Sequence, residues 1–269
     1  MTMLRRPRTG PPAGHRPWPL CRRCCGLALD LGSARTRALI AGRGTLLDVP
    51  TVTFPGDRAG HPVQRGTIVD VPGAARMLDR LLGHRLPRDA RPLVVVTTPV
   101  PAGPAHRERA RAALRVLNPR AVLTVPTARA VALAAGADLS RPLLVVDIGA
   151  HLTEAVLLCD GTVFDARRAA LGTADPAGAD VSAEIGEVVT DMVTSMLRQD
   201  RTCHTSDALG RGMLLSGGGA LRPGLARRLV VGLRAPLRTV PAPHTAAVRG
   251  AALVLYAAHG HPSAGGPDR

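Results

Sequence analysis

The 269-residue sequence predicts an α/β fold of two βββαβαβα halves around a cleft. The first observation behind this is a repeat. The segment LALDLGSARTRALI around Asp30 returns as LVVDIGAHLTEAVL around Asp147, setting Asp30 on Asp147, Gly32 on Gly149, Thr36 on Thr153 and Ala38 on Ala155. The second is the shape of each copy: an apolar strand ending in Asp, a glycine-containing turn, then another apolar strand, which is a β-hairpin with an acid at its tip. The third is that the same order of apolar runs and amphipathic stretches follows both hairpins. Two acids carried by related hairpins can face each other across a cleft. Turn amides there suit phosphate oxygens, and the carboxylates can hold Mg²⁺ through water.

In the first half, strands are expected near 26–31, 36–41, 45–48 and 67–70. An amphipathic helix follows over 72–84, with Ala75, Met77, Leu78, Leu81 and Leu82 on one face. The strand RPLVVVTT leads into Pro99–Pro104 and a helix reaching Leu117. The strand AVLTV and a helix of small residues over 126–137 close this half. The second half repeats the plan: strands at 143–148, 153–159 and 162–168, a helix over 180–198, and the strand GMLLS. The turn Gly217-Gly218-Gly219, a helix near 220–230, a short strand around Leu237 and a helix over 244–258 complete it. The expected organisation is a disordered basic arm at 1–25, halves at 26–140 and 141–258, and a flexible tail at 259–269.

Composition narrows the classes. Apolar residues make up 45% and aromatics only 1%, so the core must be built from Leu, Val, Ala and Ile. All basic residues other than histidine are arginine, and with abundant Ala, Gly and Pro this fits a G+C-rich genome. The net charge of +15 is read as a solvated arginine-rich surface or as affinity for anionic partners. The dearth of aromatics argues against base-stacking recognition of nucleic acid. No apolar run approaches the ~20 residues of a membrane span, and prolines 11, 12, 17 and 19 interrupt the N-terminus, so it does not read as a secretory signal. Trp18 and Leu20 are candidates for contact with a membrane surface. Cys21, Cys24 and Cys25 would need His15 or Cys203 as a fourth zinc ligand; otherwise they are free thiols of a reducing cytoplasm.

In the first hairpin turn, Gly32, Ser33 and Ala34 can bring amides against a phosphate, their small side chains keeping the approach open. Asp30 either orients water on Mg²⁺ or caps the turn. Glu108, in the first turn of a helix opening at Pro104, is favoured by the helix dipole or by a pairing with Arg111. Gly217, Gly218 and Gly219, between strand and helix, place backbone amides where a ligand can approach.

These motifs carry a resemblance to the MreB family of bacterial actins, the rod-shape-determining proteins, over about Gly26–Tyr256. DLGSARTR at 30–37 resembles the first phosphate loop of that family, and DIGAHLTEA at 147–155 the second. PAGPAHRER at 101–109 is similar to its P-x-G-x-x-x-x-E-[KR] segment, and VPTARAVALAAG at 125–136 to its E-P-x-A-A-A-x-G-A-G stretch. LLSGGGALRPGL at 214–225 resembles the adenosine loop, and HTAAVRGAALVL at 244–255 the closing helix. The resemblance implies an actin-like (ribonuclease H-like) ATPase fold binding ATP and Mg²⁺. Asp30 and Asp147 would act on the metal through water, and Gly149, Ala150 and His151 would join the first loop at the phosphates. Gly217–Gly219 would lie near the base and ribose, and Glu108 would orient the attacking water. It further implies a cytoplasmic protein at the inner face of the membrane, assembling with itself or with full-length filaments and with cell-wall synthesis proteins.

The sequence also departs from the family. Its second loop, D-[IL]-G-G-G-T-T-E, has Ala150 and His151 in place of two glycines, which would strain the loop if either position needs φ > 0. The His151 ring would then intrude on the γ-phosphate, or bind it when protonated. Val125 replaces the Glu before Pro126. The stretches 53–66 and 168–180 are too short for the family's two small subdomains. These departures support a second expectation, a pseudo-ATPase scaffold that keeps the fold and docks onto filaments, wall-synthesis proteins or membrane.

Overall fold

The computed structural model describes residues 18, 24–54, 59–87, 89–100, 103–175 and 180–261. Nearly all of the basic arm, including Cys21 and His15 of the zinc reading, lies outside these residues, as does the tail beyond 261. The first sheet holds β1 (Gly26–Leu31), β2 (Arg35–Ile40), β3 (Leu46–Pro50), β6 (Leu93–Thr98) and β7 (Ala121–Pro126) in the order β3-β2-β1-β6-β7. The second holds β8 (Leu143–Ile148), β9 (Thr153–Cys159), β10 (Thr162–Ala169), β11 (Met213–Ser216) and β12 (Leu237–Thr239) in the order β10-β9-β8-β11-β12. The two orders are the same, so the repeat seen in the hairpins extends to the whole half. β1 runs antiparallel to β2 and parallel to β6, and β8 runs antiparallel to β9 and parallel to β11.

Alternation along the strands decides which face each residue serves. Leu27 and Leu29 of β1 and Val94 and Val96 of β6 point outward onto α1 (Val71–Leu78) and α2 (Pro104–Leu114). Ala28, Leu93 and Val95 point to the inner face. In the second sheet Leu144, Val146 and Ile148 meet α4 (Val181–Gln199), α5 (His204–Arg211) and α6 (Leu225–Leu233). Leu143, Val145, Val156 and Leu158 face inward.

The inner faces are covered by exchange. α3 (Thr127–Ala134) follows the first sheet in sequence, yet Ala128, Val131 and Ala132 pack on the second. α7 (Ala246–Gly260) follows the second sheet, yet Val248, Ala251, Ala252 and Leu255 pack on the first. The two helices cross so closely that a Cβ on Gly250 would lie 1.7 Å from the carbonyl oxygen of Ala130.

Several expected boundaries shift. The strand expected at 67–70 is reduced to β5 (Thr67–Ile68), paired with β4 (Val63–Gln64) in a ribbon whose turn, Arg65-Gly66, has φ of +46° and +73°. Two positive φ values make it the hairpin turn whose twist matches its strands. Asp70 ends that strand early because its side chain accepts from Gly73 N at 2.8 Å and caps α1. The helix expected over 72–84 changes after Leu78 into a π-helical turn, Asp79–Gly83. The helix expected at 220–230 splits into a 3₁₀ turn over Gly218–Leu221 and α6, with Gly224 at φ +80° between them. Trp18 is buried rather than membrane-facing: its ring stacks on His259 of α7 at 3.8 Å, and its indole N–H donates to the Cys24 carbonyl at 2.9 Å.

Gly250→Ala would strengthen an isolated helix by about 1 kcal/mol. Here it must push α3 and α7 apart, so a net destabilisation of about 2 kcal/mol is expected. Equal or greater stability of the variant in urea unfolding would show that the helices are not in close contact there.

Candidate functional site

Both hairpin turns are built the same way. Gly32 N donates to Arg35 O at 3.1 Å, and Gly149 N donates to Leu152 O at 2.8 Å. A threonine following the third strand then clamps each loop. Thr51 Oγ1 donates to Gly32 O at 2.7 Å, and Thr173 Oγ1 donates to Gly149 O at 3.4 Å. Backbone bonds reinforce both, from Thr51 N to Ala34 O at 2.9 Å and from Ala174 N to Ala150 O at 2.8 Å. Neither threonine was singled out from sequence. Thr51 directly follows β3, whereas Thr173 lies four residues past the end of β10, so the alignment of the repeats does not pair them.

The strand ends carry two rows of charge across the sheets. In the first, Asp30 pairs in register with Arg37, and Arg37 with Asp48. In the second, Asp147 pairs with Glu154, and Glu154 with Arg168. Arg37 therefore occupies in one half the place that Glu154 occupies in the other. Its Nη1 lies 3.8 Å from Asp30 Oδ2, and its Nε lies 3.2 Å from Asp48 Oδ2. Asp30 also accepts from Thr97 Oγ1 at 2.7 Å, and Glu154 from Val100 N at 2.6 Å.

The rows meet at a cavity of about 280 Å³ between the halves. The first loop lines it with Asp30, Gly32, Ser33 and Ala34; the second with Asp147, Gly149, Ala150 and His151; the glycine turn with Gly217 and Gly218. The ligand-facing residues expected from sequence are thus brought together, with two exceptions. Gly219 lies beneath the cavity, where a Cβ would come within 2.2 Å of the Ile148 side chain, so it serves packing. Glu108 is exposed on α2 and is not among the residues lining the cavity. Arg37, Thr97 and Glu154 join the lining without having been expected.

Ala150 and His151 do not have positive φ, so the loop tolerates them and the strain expected there is absent. The His151 ring turns toward Asp175, with Nδ1 3.3 Å from Oδ1. Asp175 also accepts from Gly172 N at 2.8 Å and pairs with Arg65 at 3.2 Å. Arg65 donates as well to the carbonyl of Ala170. Together with Gly66 N, which donates to Ser33 Oγ at 3.1 Å, these contacts fasten the ribbon turn across the cavity mouth.

Burial dominates the electrostatics. It pushes the Asp30 carboxyl above its usual range, against the Thr97 hydrogen bond and Arg37. Burial, with Asp30 nearby, raises Asp147 to about 6. Burial and the Asp147 charge raise Glu154 to about 8. Asp48 goes the other way: despite some desolvation, Arg35 and Arg37 hold it below its usual value.

A nucleotide fits this donor set. The cavity supplies loop amides, and His244 contributes a buried Nδ1 with no hydrogen-bond partner. The volume is at the small end of ligand pockets, about 300–1,000 Å³, so a nucleotide would keep part of its surface in solvent. Mg²⁺ fits poorly at Asp30, because its carboxylate already has the Arg37 guanidinium 3.8 Å away and accepts from Thr97.

The MreB/Mbl protein family model matches residues 53–177. Over that stretch the chain is similar to the MreB/Mbl family. Its structure is similar to MreB5 of Spiroplasma citri bound to ADP, with a TM-score of 0.77, 16% identity and coverage of 88% of this chain and 97% of that one. The AMPPNP-bound form of that protein matches at TM-score 0.76 and 16% identity, covering 86% and 95%. A MamK double helical filament matches at TM-score 0.71 and 18% identity, covering 86% and 98%. These likenesses show an actin fold. A search of curated proteins finds no match. Where the MreB-like sequence was expected to lack two small subdomains, this chain has the β4–β5 ribbon in one place and a short connection from β10 to α4 in the other. Among the described residues no helix is long and apolar enough to cross a membrane.

Glu154 binds its proton more tightly in the folded chain than in the unfolded one, so its contribution is fully present below about pH 4.5 and is lost as pH rises through about 8. Glu154→Gln keeps the acceptor for Val100 N and removes the titration. Relative to the native chain, the variant should gain on the order of 3 kcal/mol between pH 5 and pH 9. Thermal melts that stay parallel across that range would show that Glu154 is not a buried acid.

Proposed function

We propose that this MreB-like chain binds ATP in the cavity between its two hairpin loops and acts with actin-like filaments in cell-shape determination or cell-wall organisation. The observation that carries the reading is the convergence of two identically built loops and the Gly217–Gly218 turn on one cavity. The amides of Gly32–Ala34 and Gly149–His151 would receive the phosphates, with Gly217 and Gly218 toward the base and ribose. The solved MreB5 structures, bound to ADP and to AMPPNP, support a nucleotide as occupant, and the MamK filament supports self-association. Self, a longer filament-forming relative, wall-synthesis proteins and the inner membrane face are the proposed partners, in the cytoplasm.

A second reading has its own observation. Glu108, the residue expected to align water, is exposed and away from the cavity lining. This favours a chain that binds without turning over, a scaffold of the pseudo-ATPase kind, and any hydrolysis would be slow.

Gly218 offers a clean test, because a Cβ placed there meets nothing within 4 Å. Gly218→Leu should fold normally and lower ATP affinity at least about tenfold in calorimetry at constant Mg²⁺. No ATP binding by the folded native chain up to millimolar concentration would sink the nucleotide reading and leave the scaffold.

A further inference from the structure

Arg37 has no counterpart in the second hairpin, where Glu154 stands at the equivalent register position. It sits on β2 one cross-strand step from Asp30, with only 14% of its side chain exposed, and it lines the cavity with both loops. Asp48 anchors it from behind at 3.2 Å. Asp48 is itself paired with Arg35 at 2.5 Å, so two guanidiniums share the two carboxylates Asp48 and Asp30, and Arg37 is the one that lines the cleft next to Asp30. A guanidinium held in place is suited to phosphate oxygens, which it meets with paired N–H donors, and it needs no hydration shell of fixed geometry. Mg²⁺ needs near-octahedral coordination and retains several waters, a demand that a cation already beside Asp30 opposes.

We propose that Arg37 is the resident counter-cation of this cleft and that the nucleotide phosphates bind there without a divalent metal. This rests on the nucleotide reading above. It makes Arg37 a determinant of what the site accepts: a polyphosphate as the free anion, met by loop amides and one guanidinium. The exposed ribbon turn and the α4–α6 surface groove carry no comparable set of groups directed at a ligand.

The test is calorimetric titration of ATP into the full chain, once with Mg²⁺ and once with excess chelator, for the native protein, Arg37→Leu and Arg37→Lys. Thermal melts confirm folding of each. The native chain should bind ATP within about threefold of the same affinity in both buffers. Arg37→Leu should lose at least about tenfold in chelator and recover with Mg²⁺. Arg37→Lys, which keeps a cation, should retain most metal-free binding and covers the case in which the leucine variant does not fold. Binding by the native chain only with Mg²⁺ would overturn the assignment of Arg37 while leaving the nucleotide reading intact. Metal-free binding unchanged in a folded Arg37→Leu would overturn it as well. Absence of binding in both buffers would remove the nucleotide reading, and this assignment with it.

Discussion

The separation of the two halves is set by the crossing of α3 and α7. Each helix belongs by sequence to one half and packs on the sheet of the other. Between them the chain places Ala130 and Gly250, and the backbones approach until no side-chain atom fits on the glycine. Helices of Ala, Val and Leu allow this, because small residues permit short interaxial distances. With 1% aromatics in the sequence, the core has few large rings to wedge the sheets apart. The position of the Asp30 hairpin relative to the Asp147 hairpin follows from that contact. So do the cavity width and the burial that raises their carboxyl pKa values.

The second constraint is charge. Both sheets end in a row of three ionisable side chains, but the sign at the middle position is reversed, with Arg37 in one and Glu154 in the other. Two facing carboxylates repel and lose hydration together, an arrangement that persists only if a cation or a proton offsets it. This chain uses both means. Arg37 lies beside Asp30, and burial keeps Glu154 protonated to about pH 8. The duplicated backbone is thus a symmetric frame for an asymmetric charge pattern.

Much of this frame was legible in the sequence. β1, β8 and β9 match their expected spans because each is an apolar run bounded by a glycine-containing turn, and the repeat aligns the halves. α5 was missed. It spans eight residues with only Thr205, Ala208 and Leu209 buried, too short a face to give a helical period. The exchange of α3 and α7 was illegible, since local pattern says which face is apolar but not which sheet will cover it. Ten of the expected phosphate and adenosine residues converge, because they sit at strand ends and turns that topology brings together. Glu108 was placed by motif similarity in a segment whose helix leaves it facing solvent. Arg37 lies on β2 within the repeat, where the alignment of like residues hides its opposite sign to Glu154.

The short connections alter how the cleft is closed. Among the described residues between Thr53 and α1 the chain carries only the β4–β5 ribbon, and a short connection joins β10 to α4. Here Arg65, in a turn of positive φ, reaches across to Ala170 and Asp175, while Gly66 bonds Ser33 of the first loop. Asp175 holds His151 and Gly172, and Gly172 packs so tightly under Ala150 that a Cβ would lie 2.4 Å from its carbonyl carbon. The second loop is therefore braced by the segment that follows β10. A few charge-assisted bonds, mostly exposed, fasten that closure, and each contributes modestly in water. Opening this mouth should accordingly require much less than separating α3 from α7.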